Sequence, residues 1–204
     1  MVLGWGPRVV TSDQYNSHLH TALSPGSSMP NDSAINLNDF IRDVQDFPKP
    51  GILFKDITPL LLNCDAFTAC IDQMAEKVSD LKIDVLAAAE ARGFLFAAPL
   101  AMKLGLGMVP IRKPGKLPYE KHSYSYELEY GTDTLEMHVD GVKKGQNVLV
   151  VDDLLATGGT VEACCRMVEQ CEANVVGCLF LINLTFLNGA KKLEPYPVVS
   201  LLDY

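Results

Sequence analysis

Two adjacent carboxylates, Asp152 and Asp153, are followed within a few residues by Ala156-Thr157-Gly158-Gly159-Thr160, and this is the part of the chain best equipped for chemistry. The small residues allow a tight turn ahead of Val161 to Val168, where the apolar spacing is helical. A turn that opens a helix presents unpaired backbone N–H groups, backed by the positive end of the helix dipole, and Thr157 and Thr160 add hydroxyl donors. Such a turn can hold a phosphate. The two aspartates would repel that phosphate if they faced it, so they are expected to face hydrogen-bond donors or a cation, either vicinal ribose hydroxyls or Mg²⁺. A phosphate at one end and a diol at the other describe a ribose 5-phosphate.

Two better-known phosphate loops are excluded. The loop of nucleoside-triphosphatases needs a lysine and then Ser or Thr after its last glycine, whereas Gly159 is followed by Thr160 and Val161. The dinucleotide fingerprint G-x-G-x-x-G is absent as well. The bland alternative is an ordinary strand-to-helix turn with an aspartate cap. Against it stands the order of the parts, strand, acids, glycine loop and helix, all within one short stretch.

Other charged groups are candidates to join this site. Arg92 lies in Glu90-Ala91-Arg92-Gly93-Phe94, directly after the apolar run Ile83 to Ala89. Open α/β sheets keep their ligands at the carboxyl ends of such strands, so topology alone places Arg92 well. The competing role is a surface ion pair with Glu90 or another acid. Arg112, Lys113 and Lys116 stand among Pro114, Gly115 and Pro118, a basic loop in an acidic protein. It is either a solvated turn or a mobile cationic cover.

The elements that must carry these groups follow from periodicity. Ile83 to Ala89, Gly107 to Ile111, Val148 to Val151, Val175 to Ile182 and Val198 to Leu202 are short apolar runs, as expected of strands buried on both faces. Phe67, Cys70, Ile71, Met74 and Val78 mark one helix face, with Asp65 as its expected cap, and Phe94 to Leu104 supplies a second helix. Alternation of this kind predicts an α/β fold, an open and mainly parallel sheet with helices on both faces. Leu37, Phe40, Ile41 and Val44 have the spacing of an amphipathic helix ending before Pro48, and the prolines after it lead into a short strand ending near Ile57. Tyr124 to Tyr130 and Thr132 to His138 are expected to form a hairpin around Gly131.

The 204 residues, nearly half of them hydrophobic, suffice for one core, and a formal charge of −8 offers no general attraction to nucleic acid or anionic membrane. No apolar run reaches the length of a membrane span and the start lacks the order of a secretory signal, so a cytoplasmic protein is expected. The six cysteines include no C-x-x-C pair, which favours reduced thiols over zinc. Residues 1–33, rich in Ser, Gly, Asn and Pro, form an expected loose tail whose His18 and His20 lack further ligands, and 34–204 form one domain.

VVDDLLATGGT resembles the phosphoribosyl pyrophosphate motif of type I phosphoribosyltransferases, in its adenine-using form, and the likeness runs from about Phe40 to Tyr204. It implies transfer of the phosphoribosyl group to adenine, giving AMP and pyrophosphate. Hypoxanthine or guanine as the base is an alternative, and so is a regulatory module that binds the same ligand without turnover. FPKPGILFKDI, within 34–60, resembles the hood over the purine, in which the backbone near Leu53 meets the base edge, Phe54 stacks on the ring and Lys55 stands where relatives can carry arginine. The turn at Arg92 resembles the pyrophosphate loop. Residues 112–138 resemble a lid in which Arg112, Lys113 and Lys116 approach the pyrophosphate, and the likeness implies a homodimer across which Arg112 could reach. YELEYG matches a family motif that places Glu129 as the acid/base, with His122 nearby as the other candidate. Mg²⁺ is implied near Asp152 and Asp153, held through substrate and water and not by a protein cage.

Overall fold

The computed structural model describes residues 35–127 and 132–204. Asn147–Leu155, the strand that delivers both aspartates, is the centre of a five-stranded parallel sheet. In chain order the elements are β1 (Arg42–Gln45), β2 (Leu53–Asp56), α1 (Thr58–Leu62), α2 (Cys64–Lys77), β3 (Val85–Ala89), α3 (Arg92–Leu104), β4 (Gly107–Ile111), β5 (Lys121–Glu127), β6 (Thr132–His138), β7 (Asn147–Leu155), α4 (Gly159–Gln170), β8 (Asn174–Asn183), α5 (Gly189–Lys192) and β9 (Val198–Asp203). The sheet order is β4-β3-β7-β8-β9 with every neighbour parallel, so the expected fold class stands.

Strand periodicity divides the core into two layers. Val148 and Val150 pack with α4 residues such as Cys164 and Val168 on one face, while Leu149 and Val151 pack with Met74 of α2 and Leu100 of α3 on the other. Connections from β3 run outward to β4 and those from β7 run the opposite way to β8, so the crevice at the carboxyl ends of β3 and β7 is the switch point of the sheet. Both candidate turns open there. Cys70, Cys164, Cys165 and Cys178 are buried and all six thiols are free.

Three local expectations change. The helix expected over Leu37–Val44 is a short 3-10 turn, Leu37–Phe40, followed by β1, which pairs antiparallel with β2 from Arg42↔Asp56 to Gln45↔Leu53. Only Leu37 of the turn is fully buried, and an apolar period this short does not separate a helix from a turn leading into a strand. The cap of α2 is Asn63, whose side-chain oxygen accepts from Ala66 N at 2.9 Å, leaving Asp65 in the first turn. Finally, β7 continues past Val151 through both aspartates to Leu155, with Asp153 and Leu155 buried and Asp152 and Leu154 half-buried.

Candidate active site

At the mouth of this crevice, β7 ends and Gly158 takes φ +83°, a left-handed conformation that glycine adopts without strain, to start α4. No side chain caps that helix. The N–H groups of Thr157 to Thr160 have no acceptor among the described residues, so they are available to a ligand. Gly158 leans on Gly189: a side chain at Gly158 would come within 2.8 Å of the Gly189 carbonyl oxygen, and one at Gly189 would collide with the carbonyl oxygen of Ala156. The phosphate-type loop is thus pressed from behind by the turn that starts α5. Sequence reasoning missed Gly189, and its only signal was the Asn188-Gly189 pair, a turn marker that says nothing of position.

A cavity of about 400 Å³ lies in front of the loop, lined by Glu90, Ala91, Arg92 and the whole stretch Asp152 to Val161. Arg92 Nε meets Asp153 Oδ2 at 2.8 Å, with Arg92 half exposed and Asp153 nearly buried. Arg92 is therefore paired, but with a carboxylate of the same cavity and not with Glu90. Glu90 instead holds Arg112, Nε to Oε2 at 2.6 Å, which brings the first cation of the basic loop to the cavity's edge. Gly93 permits the close approach of α3, since a Cβ there would lie 3.0 Å from both Asp152 Oδ1 and the Val151 carbonyl oxygen.

Asp152 turns inward, accepting the backbone N–H of Asp153 at 2.9 Å. Burial first, and then the charge of Asp153, push its carboxyl up to about 8. The shift favours the protonated form of Asp152, which can donate as well as accept. A carboxyl that titrates near 3.8 unfolded and about 8 folded binds its proton more tightly in the fold. Its contribution to stability is complete below the lower value and is lost as pH rises through the upper one. Asp152→Asn should therefore gain thermal stability relative to the parent as pH rises from about 4 to about 8, and parallel melting curves across that range would contradict the assignment.

The basic loop is tied down. Lys113 pairs with Asp133 of the hairpin, Gly115 N donates to Glu136 Oε2 at 3.0 Å, and Arg112 exchanges backbone hydrogen bonds with Glu136. Lys116 is exposed, and its carbonyl accepts from Arg112. The hairpin reaches the phosphate-type loop through Tyr126, whose hydroxyl lies 3.2 Å from Thr160 Oγ1 and donates to Asp133 at 3.3 Å. This link between the hairpin and the loop was not visible in the sequence. Glu129 lies outside the described residues.

In the hood, Phe54 packs edge-on against Phe47 at 5.0 Å, and the Arg92 guanidinium stands 5.7 Å from its ring. Val44, Phe47, Phe54 and Asp56 line a small apolar hollow of about 200 Å³, and Leu53 is exposed beside it. Lys55 is not brought to the cavity: its ammonium binds Asp43 at 2.7 Å and sits 3.8 Å above the Tyr204 ring.

Comparisons with known proteins bear on the fold and the family. Residues 60–202 match the model of the phosphoribosyl transferase domain family. An adenine phosphoribosyltransferase of Rhodopirellula baltica is 62% identical over 170 residues, 83% of this chain and 82% of the relative. The crystal structure of the enzyme of that name from Thermoanaerobacter pseudethanolicus superposes with a TM-score of 0.81 at 55% identity, covering 82% of this chain and 98% of the other. The Saccharomyces cerevisiae enzyme, crystallised with an imino-altritol bisphosphate and adenine, gives a TM-score of 0.75 at 42% identity over 79% of this chain and 94% of its own.

Proposed function

The chain belongs to the phosphoribosyl transferase family, among its adenine phosphoribosyltransferases, and from that premise we infer how its cavity works. The reaction passes the phosphoribosyl group of phosphoribosyl pyrophosphate to adenine, giving AMP and pyrophosphate, a step of purine salvage. The observation that carries the residue roles is the set of unpaired N–H groups from Thr157 to Thr160 beside Asp152, Asp153 and Arg92 in one cavity.

In this reading the loop Ala156 to Thr160 grips the 5-phosphate while Asp153 accepts from the ribose hydroxyls and Asp152 donates or accepts beside it. As C1 parts from pyrophosphate ahead of bond formation to the base, the sugar becomes cation-like. Arg92, with Arg112, Lys113 and Lys116 from the lid, balances the charge left on the pyrophosphate. Phe54 stacks on the purine, the backbone at Leu53 meets its edge, and Glu129 manages the proton of the imidazole ring. The bound adenine of the Saccharomyces cerevisiae relative supports this choice of base.

Mg²⁺ fits as a passenger of the substrate. Asp152 and Asp153 line the cavity, and no group of three or more metal-binding side chains occurs among the described residues, so a magnesium ion would be carried mainly by substrate oxygens and water beside them. Its chemistry there would be charge neutralisation on the pyrophosphate. A homodimer, which the likeness to the family implies, is part of the proposal. So is a cytoplasmic location, supported by the buried free thiols; no helix of the described residues is long and apolar enough to cross a membrane.

Purified protein given adenine, phosphoribosyl pyrophosphate and magnesium should form AMP, and should prefer adenine over hypoxanthine and guanine in competition. No AMP with ligand binding retained would favour a sensing module, and preference for another purine would reassign the hood.

A further inference from the structure

We propose that Tyr204 and Lys55 form a brace that positions the hood and thereby sets the affinity for the purine, although neither touches the cavity. The inference rests on the assignment of Phe54 to the base.

Neighbouring residues of a strand point to opposite faces, so on β2 Phe54 and Lys55 diverge. Phe54 turns toward Phe47 and Arg92. Lys55 turns the other way and is largely buried, with 10% of its side chain exposed. Its ammonium lies 2.7 Å from Asp43, its cross-strand partner on β1, and 3.8 Å from the centre of the Tyr204 ring. Tyr204 is itself fixed: its N–H donates to the Asn183 carbonyl at 3.0 Å, and its carbonyl accepts from both the N–H and the hydroxyl of Thr185 at 2.8 Å. Its phenol donates to Asn38 Oδ1 at 2.9 Å, in the turn that leads into β1.

One aromatic residue anchored on the main sheet therefore touches the hood at two points, the turn before β1 through Asn38 and β2 through Lys55. The β1–β2 pair is a separate two-stranded sheet, and a hairpin of that size gains little stability by itself. Its placement over the cavity must come from side-chain contacts such as these. A lysine fits this duty: its long stem reaches across while the ammonium satisfies a carboxylate and a ring face together.

Steady-state kinetics of Lys55→Met, Tyr204→Leu, Tyr204→Phe and Phe54→Leu test the brace, with thermal melting to confirm folded protein. Lys55→Met and Tyr204→Leu should each raise the KM for adenine roughly three- to tenfold, in keeping with the loss of one cation–aromatic contact and one ion pair. The KM for phosphoribosyl pyrophosphate should move less than about twofold, a split that general destabilisation would not give. Tyr204→Phe, which keeps the ring under Lys55 and loses only the bond to Asn38, should raise the adenine KM less than Tyr204→Leu does. The double variant Lys55→Met/Tyr204→Leu should be little worse than Tyr204→Leu alone. An unchanged adenine KM in Lys55→Met and Tyr204→Leu, while Phe54→Leu raises it, overturns the brace alone. An unchanged adenine KM in Phe54→Leu overturns the hood assignment and the brace with it.

Discussion

Asp153→Asn should lower kcat/KM for phosphoribosyl pyrophosphate by roughly 10- to 100-fold while leaving the fold in place. Asparagine has the same shape as aspartate, so the nearly buried pocket beside Arg92 loses a charge and no volume. The charge is what matters in the inferred site. A hydrogen bond to a charged acceptor contributes about 1.5–3 kcal/mol, and each 1.36 kcal/mol is a factor of ten in rate, which gives the range stated. Arg92 also loses the carboxylate that fixes its guanidinium 2.8 Å away, so pyrophosphate and sugar contacts weaken together. Calorimetric titration with ribose 5-phosphate separates the two effects, because that ligand carries the diol and lacks the pyrophosphate. Weakened binding of ribose 5-phosphate supports the diol role. Unchanged kinetics and unchanged binding would remove Asp153 from the site and leave it as the structural partner of Arg92.

How much of this was legible in the sequence depended on how local each feature is. The strand, acids, loop and start of α4 fall within Asn147 to Thr160, and near-neighbour geometry dictates them. Arg92 was legible at one remove, through the rule that ligands gather at carboxyl ends of parallel strands. Features that join distant segments were not legible: Tyr126 to Thr160, Glu90 to Arg112, and Gly189 behind the loop each depend on how elements pack. The misassigned helix at Leu37 to Val44 shows the limit of a period counted over two turns. Lys55 teaches a different lesson, because the sequence held the correction. Once Leu53 to Asp56 is a strand, Phe54 and Lys55 cannot both face one ligand, and the residue-by-residue likeness to the family concealed what the period of two makes plain.

Gly189→Ala should raise the KM for phosphoribosyl pyrophosphate by more than about tenfold, although Gly189 lies outside the phosphate-binding stretch. The added methyl would collide with the carbonyl oxygen of Ala156 and come within 3.0 Å of Leu155 Cδ1, and backbone cannot swing aside as a long side chain can. Forcing one extra methyl into such a contact typically costs about 1–3 kcal/mol, taken up here by shifting Ala156 and the turn after it. The N–H groups of Thr157 to Thr160 would then be displaced from their present positions at the cavity. Gly158→Ala should be worse, since it adds a left-handed residue at φ +83° to a 2.8 Å approach to the Gly189 oxygen. Lost stability alone could imitate this result, and Gly105→Ala is the control. Gly105 ends α3 with φ +69° and has nothing within 4 Å of its missing side chain, so it carries the strain without the collision. It stands at the far end of the helix that Arg92 begins, about 20 Å away at 1.5 Å per residue. Gly105→Ala should therefore lower the melting temperature and leave the KM where it was, whereas Gly189→Ala should move both. Equal KM values in the two variants would mean that the turn at Gly189 does not shape the phosphate loop.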